Sequence, residues 1–172
     1  MRMTIEAGAT AIKDANEESV YEMSKKVSRG MLMGARGNSG VILSQFFRGI
    51  YKGFKDIKEA SVKDFAKAFQ SGVNQAYHAV LKPVEGTILT VAKGMSDKAL
   101  LLNEETDDLV YFCQEVIKEG DHVLSKTPEM LPVLKQAGVV DSGGQGLMEV
   151  LKGCFDCLIG KAKAFSLLGI HL

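Results

Sequence analysis

The sequence has no excess of charge of either sign, because 21 lysine and arginine residues balance 21 aspartate and glutamate residues. Proteins that bind nucleic acid through its phosphates normally carry a basic excess or a basic face. No cluster of basic residues interleaved with aromatic ones stands out here either. This balance argues against a nucleic-acid partner.

Long apolar runs and abundant cysteine are also missing. No apolar run is long enough to span a bilayer, and Glu6 lies where a signal peptide would need an apolar stretch. The three cysteines show no obvious pairing, which favours reduced thiols. Together these features predict a cytoplasmic protein without a transmembrane segment.

A strand pattern is absent, since apolar and polar residues nowhere alternate in runs between turn residues. Apolar residues instead recur at helical spacing. This pattern predicts an all-α domain of six or seven helices, joined by short turns that favour antiparallel neighbours. At 172 residues the chain is expected to form a single domain over 1–172, with residues 161–172 as a frayed end or the start of a connection.

Local signals predict where several of these helices begin. Ser19–Glu22 and Ser61–Asp64 have the spacing of capping boxes, the second being the weaker signal. Thr127 followed by Pro128 is typical of a cap and a first-turn proline. This pair predicts a short helix that ends near Ala137.

The stretch Gly34–Gly40 reads Gly-Ala-Arg-Gly-Asn-Ser-Gly and holds more glycine than a connector between two helices needs. The next helix is expected to begin near Asn38 or Ser39, whose side-chain oxygens can cap it or face a ligand. A helix N-terminus offers free N–H groups and partial positive charge, which suit a phosphate. An ordinary αα-corner is the alternative, and the loop lacks the Gly-Lys-Ser/Thr of a Walker motif.

Two further turns share this character, Pro83–Thr87 and Gly138–Gly146, because each places glycine beside a hydroxyl or carboxylate at the start of a helix. Counted along an up-and-down bundle, with the short helix that ends near Ala137 included, the helices after the three turns are expected to begin at the same end. Their N-termini would then converge into an anion site suited to a polyphosphate. Alternatively, Ser142 and Gln145 form a capping box with a purely structural role.

Two other features carry weaker signals. Cys154 and Cys157 have a metal-like spacing, but zinc needs four ligands, so core packing is the favoured interpretation. Arg36 has the chemistry to stabilise a phosphoryl group in transfer, and an exposed surface position is the commoner alternative.

The three turns together resemble a known family. Gly34–Gln45, Pro83–Thr87 and Val139–Leu147 are similar to motifs of the dihydroxyacetone kinase L-subunit-like family, most closely to the nucleotide-binding domain of the fatty acid kinase subunit. The resemblance covers nearly the whole chain. It implies an antiparallel barrel of eight helices, about seven of them expected here, that holds Mg-ATP at one end.

The resemblance also implies residue roles. Asn38 and Ser39 match the pair that contacts the nucleotide phosphates, and Thr87 lies in a turn that lines the nucleotide. Asp141 and its two successors match a segment that closes over it. The implied ATP- or ADP-binding set is Gly37, Asn38, Ser39, Gly40, Thr87, Asp141, Ser142 and Gly143.

One motif of the family has no counterpart. The family's magnesium ligands lie in an Asp-Gly-Asp-x-Gly-x-Asn motif just before a methionine that starts a helix, and this chain begins at that methionine. No Asp-x-Asp occurs in the sequence. The expectation is therefore a domain truncated at its N-terminus and cut from a longer protein, with Mg²⁺ bound only when that motif is present. No catalytic or metal-binding residue is assigned within the chain.

The resemblance implies the ATP-binding domain of a kinase that phosphorylates a fatty acid held by a fatty-acid-binding partner protein. This chain alone is expected to be inactive or impaired. Two alternatives stay open: the ADP-holding subunit of a dihydroxyacetone kinase phosphoryl relay, and a non-catalytic helical interaction module. An exposed seam in the barrel would also permit a homodimer.

Overall fold

Eight α-helices make up the regular structure of residues 1–161, the part of the chain that the computed structural model describes. They are α1 (Arg2–Ile12), α2 (Val20–Gly34), α3 (Gly37–Gly53), α4 (Val62–His78), α5 (Ile88–Leu102), α6 (Leu109–Met130), α7 (Pro132–Ala137) and α8 (Ser142–Leu158). The all-α prediction is confirmed, with one helix more than the seven expected. The additional helix is α1, which begins without a side-chain cap.

Two sequence predictions concern the C-terminal residues and membrane-spanning helices. The interpretation of residues 161–172 as a frayed end falls, from residue 162 onward, outside the described residues. Within residues 1–161, no helix combines the length and the apolar character that a membrane crossing requires.

One of the two predicted capping boxes is confirmed. At the start of α4 the Asp64 N–H donates to Ser61 Oγ over 3.3 Å, and the Ser61 N–H donates to Asp64 Oδ2 over 2.9 Å. The box predicted at Ser19 is wrong, because the Ser19 hydroxyl donates to the carbonyl of Ile57 over 3.2 Å. This bond joins the start of α2 to the loop that follows α3.

The helix start predicted at Thr127 and Pro128 is also wrong, because α6 continues through both residues to Met130. A proline inside a helix removes the N–H that would bond to the carbonyl four residues earlier, here that of Leu124. The Thr127 hydroxyl donates to this same carbonyl over 2.7 Å. The helix therefore accommodates Pro128, and the short α7 begins instead at Pro132.

The helices pack in chain order, with α8 against α5 and α6, and with α7 against α6. Small residues bring the first pair close together. A Cβ on Gly30 of α2 would lie 2.6 Å from both the carbonyl oxygen of Ala7 and the Cβ of Ala11 on α1. Gly8 of α1 likewise faces Met31. Because the start of α1 lies beside the end of α2, this pair is antiparallel.

An apolar interior runs between the helices. Its most deeply buried large side chains are Met31, Leu43, Phe46, Met95, Leu102, Leu147 and Met148. A cavity of about 640 Å³ adjoins this core between α2, α3, α4, α5, α6 and α8, and apolar side chains such as Phe47, Phe65, Phe112 and Leu151 line it. A lining of this kind offers little to a polyphosphate, so the search for an anion site leads to the helix ends.

Candidate functional site

The starts of α3, α5 and α8 meet at Gly143. A Cβ on this glycine would lie 3.3 Å from the Cβ of Ile88, the first residue of α5. It would also lie 3.5 Å from the hydroxyl oxygen of Ser39, in the first turn of α3. The convergence of the three turns is therefore confirmed. We call this region the junction: Gly37–Gly40, Thr87 with Ile88, and Asp141–Gly143.

The first wall of the junction is the start of α3. The helix begins at Gly37, one residue before the earlier of the two predicted starts, and Gly37 has a φ of 67°, which favours glycine. No side chain caps α3. Within the described part of the chain, the side chains of Asn38 and Ser39 make no hydrogen bond. The first N–H groups of α3 and both side chains are therefore free to bind a ligand.

Arg36 precedes this wall and has another role. Its Nη1 donates to the carbonyl of Ala35 over 2.7 Å and to that of Met33 over 3.3 Å. The side chain is exposed and satisfies carbonyl groups at the C-terminus of α2. These contacts match the structural alternative, while a role in phosphoryl transfer stays a prediction.

The second wall is the turn before α5, and hydrogen bonds among the residues of this turn and the first turn of α5 stabilise it. The Thr87 hydroxyl donates to the carbonyl of Val84 over 2.7 Å. The Thr90 hydroxyl accepts from the Gly86 N–H over 2.9 Å and donates to Glu85 Oε2 over 3.0 Å. Thr87 is the N-cap residue of α5 but makes no side-chain cap bond. The backbone N–H groups, rather than the Thr87 hydroxyl, are the free donors of this wall.

The third wall is the start of α8, where Asp141 is the N-cap residue. Its Oδ2 accepts from the Gly144 N–H over 2.7 Å. The prediction that Ser142 caps this helix is wrong, since Ser142 is the first helical residue and is exposed. Gln145 does not complete a capping box, because its amide donates to Glu149 over 2.8 Å.

Three residues at the junction lie outside the predicted set. Thr4 is fully buried, and its Oγ1 lies 2.8 Å from the position of a Cβ on Gly40. That oxygen has no hydrogen-bond partner within the described residues. The Met1 amino nitrogen lies 3.8 Å from the same position, so the start of α1 borders the first wall. Thr127, in α6, accepts from the Asp141 N–H over 3.0 Å.

The chemistry of the junction suits anions better than cations. Three helix N-termini direct N–H groups and partial positive charge toward one place. Its carboxylates are Asp141, with one oxygen committed to the cap, and Glu85, bonded to Thr90. No group of three or more histidine, cysteine, aspartate or glutamate residues within residues 1–161 is placed to hold a metal ion. The free N–H groups of the junction therefore fit phosphate oxygens.

The cysteines lie away from the junction. Cys154 and Cys157 are exposed on α8, so the prediction that they pack in the core is wrong. Cys113 on α6 is half-buried beside the apolar cavity, and burial raises the pKa of its thiol to about 11. A thiol with such a raised pKa is protonated at neutral pH and is a poor nucleophile.

The chain is similar to known proteins. The family model described as the DAK2 domain matches residues 1–156. The chain is 47% identical over 161 residues to Protein YloV of Bacillus subtilis, and equally to an uncharacterized protein of Staphylococcus saprophyticus. It is 45% identical over 161 residues to an uncharacterized protein of Staphylococcus aureus. Each alignment covers 94% of this chain but only 29% of the relative.

Proposed function

Because this chain belongs to the DAK2 domain family, of dihydroxyacetone kinase-like nucleotide-binding modules, we propose that its junction binds the phosphates of ATP or ADP. The proposed contacts are the N–H groups of Gly37, Ser39 and Gly40 in the first wall. Those of Ile88 and Gly143 complete the set from the other two walls. The hydroxyls of Ser39 and Ser142 supply further donors.

The observation that supports this proposal is the close approach of the three helix starts at Gly143. Three helix N-termini approach one another there so closely that even a methyl group would press on Ile88 and on Asp141 Oδ2, 3.1 Å away. Helix starts repel one another electrostatically when they converge, since each carries partial positive charge. An anion bound at their exposed N–H groups turns that repulsion into attraction, and a nucleotide polyphosphate offers several oxygens for three walls.

We further propose that the whole protein transfers the γ-phosphoryl group of ATP to the carboxylate of a fatty acid that a partner protein holds. The chain spans less than a third of the length of the relatives it matches, at 29%. Phosphoryl transfer depends mainly on positioning and on stabilising charge on the transferred group. In this scheme the junction holds the phosphates in place, and other parts of the assembly present the acceptor.

The residues that are present determine how magnesium would affect ATP binding. A bound Mg²⁺ would neutralise phosphate charge, but no group of three or more histidine, cysteine, aspartate or glutamate residues within residues 1–161 is placed to hold it. Backbone N–H groups alone compensate several phosphate charges poorly. We therefore propose that the 172-residue chain binds ATP weakly, with a Kd on the order of 1 mM, and shows no kinase activity alone.

Isothermal titration with ATP and with ADP, each with and without Mg²⁺, tests the proposal. We expect weak saturable binding of both nucleotides that magnesium leaves nearly unchanged. Absence of saturable binding at millimolar nucleotide would refute the phosphate site. Tight binding that requires magnesium would contradict the metal part, and ADP that stays bound through purification would favour the phosphoryl relay.

A further inference from the structure

The Thr127 hydroxyl joins α6 to the third wall of the junction. Thr127 is fully buried, and its Oγ1 makes two hydrogen bonds. It donates to the carbonyl of Leu124 over 2.7 Å and accepts from the Asp141 N–H over 3.0 Å. Asp141 lies 14 residues further along the chain, so this bond connects segments that local structure does not hold together.

The Thr127 hydroxyl compensates for a backbone hydrogen bond that Pro128 removes. Proline has no N–H, so the Leu124 carbonyl loses the donor that a helix would normally supply four residues later. The Thr127 hydroxyl supplies its proton to this carbonyl. Its oxygen lone pairs are left to accept the Asp141 N–H.

The same turn of α6 also supports the second wall. Gly86, with a φ of 79°, lies against it so closely that a Cβ would be 3.1 Å from the carbonyl oxygen of Thr127. That Cβ would also be 3.0 Å from the Cβ of Met130. One helical turn therefore contacts the segments before α5 and before α8, which are two of the three walls.

We propose that Thr127 is a positioning residue for nucleotide binding, because it fixes Asp141 and the free N–H groups that follow it. This inference rests on the proposed function. Thr127 itself lies behind the wall and does not touch the ligand. Its contribution is to keep Ser142 and Gly143 directed toward Ser39 before the nucleotide arrives.

Three variants separate positioning from stability. Thr127→Val keeps the side-chain shape and removes both hydrogen bonds, whereas Thr127→Ser keeps the hydroxyl. The double variant Thr127→Val with Pro128→Ala restores an N–H for the Leu124 carbonyl, so only the Asp141 N–H loses its partner. Ser125→Ala is the matched control, because its hydroxyl donates to the His122 carbonyl over 2.7 Å on the same helix but joins no other segment.

Nuclear magnetic resonance titration with ADP and amide hydrogen exchange provide the readouts. We expect the double variant to regain part of the melting temperature that Thr127→Val loses, and still to bind ADP about fivefold more weakly than the wild type. Its Asp141 amide should exchange at least about tenfold faster. Thr127→Ser and Ser125→Ala should behave like the wild type in both measurements.

Two results would overturn the inference. One is wild-type ADP affinity in the double variant, and the other is an Asp141 amide that stays protected there. If the wild type binds no nucleotide at all, the proposed function fails separately. Amide exchange then decides whether Thr127 positions the third wall. Protection of the Asp141 amide that is lost in the double variant and kept in Thr127→Ser would support the inference.

Discussion

Gly143 and Ser39 lie side by side although 104 positions separate them, since a Cβ on Gly143 would be 3.5 Å from the Ser39 hydroxyl oxygen. Each residue belongs to the first turn of its helix, α8 and α3 respectively. This approach brings the free N–H groups of two helices within reach of one ligand. The account of the junction depends on that proximity, and the following predictions test it.

Gly143→Ala should weaken ADP binding by about fivefold or more, because the added methyl group would push the walls apart and displace their N–H groups. It should also destabilise the fold by about 1 kcal/mol, since Ile88 and Asp141 must shift by a few tenths of an ångström. Chemical denaturation and titration with ADP measure the two effects.

Gly153→Ala is the matched control for this change. Gly153 lies on the same helix, is exposed, and has no neighbour within 4 Å of a Cβ. Alanine there should stabilise the protein by up to about 1 kcal/mol and leave ADP affinity unchanged. Equal ADP affinity for both variants would show that Gly143 does not face the ligand.

Ser39→Ala should lower nucleotide affinity by about 1 kcal/mol or more, the usual contribution of a hydrogen bond to a charged group. Thermal stability should change much less, because Arg36 rather than Ser39 is the N-cap residue of α3. Titration calorimetry and a melting curve compare this variant with Ser125→Ala. A large loss of stability with unchanged affinity would instead mean that Ser39 only supports the helix start.

Asp141→Asn separates the role of Asp141 as a helix cap from the effect of its negative charge on nucleotide binding. Asparagine caps helices as well as aspartate does, so the bond from Gly144 and the stability should be retained within about 0.5 kcal/mol. Removing the negative charge should tighten ATP binding about threefold without magnesium, because it removes repulsion from the phosphates. Weaker binding by this variant with magnesium present would indicate that the carboxylate contacts the nucleotide through the cation, and weaker binding without magnesium would contradict the predicted repulsion.

The sequence alone predicts the helical fold and the convergence of the three turns, although the count behind the convergence is wrong. Helical periodicity identifies the elements, but α8 is the third helix after α5, and strict up-and-down counting would place its start at the opposite end. The starts converge because α7 has only six residues and does not cross the bundle. The bond from the Asp141 N–H to Thr127 shows that α8 begins close to the end of α6.

Side-chain partners are less predictable, because they depend on residues far away in the chain. Ser19 has the spacing of a capping box, yet its hydroxyl bonds to Ile57, 38 residues later. Thr127 precedes a proline as a helix cap often does, yet it binds Asp141 from inside a helix. Asp141 and Ser142 are both good capping residues, and local spacing does not show which of the two caps the helix. Each of these outcomes is set by tertiary packing.

The central claim is that one nucleotide contacts all three walls of the junction. Titration of the isotope-labelled protein with ADP, followed by the amide resonances of residues 1–161, tests it most directly. We predict that the amides of Gly37–Gly40, Ile88 and Ser142–Gly144 shift together with one saturation curve, while those of Phe65 and Phe112 beside the apolar cavity do not. Shifts confined to the cavity, or absent from any one of the three walls at saturation, would contradict the account.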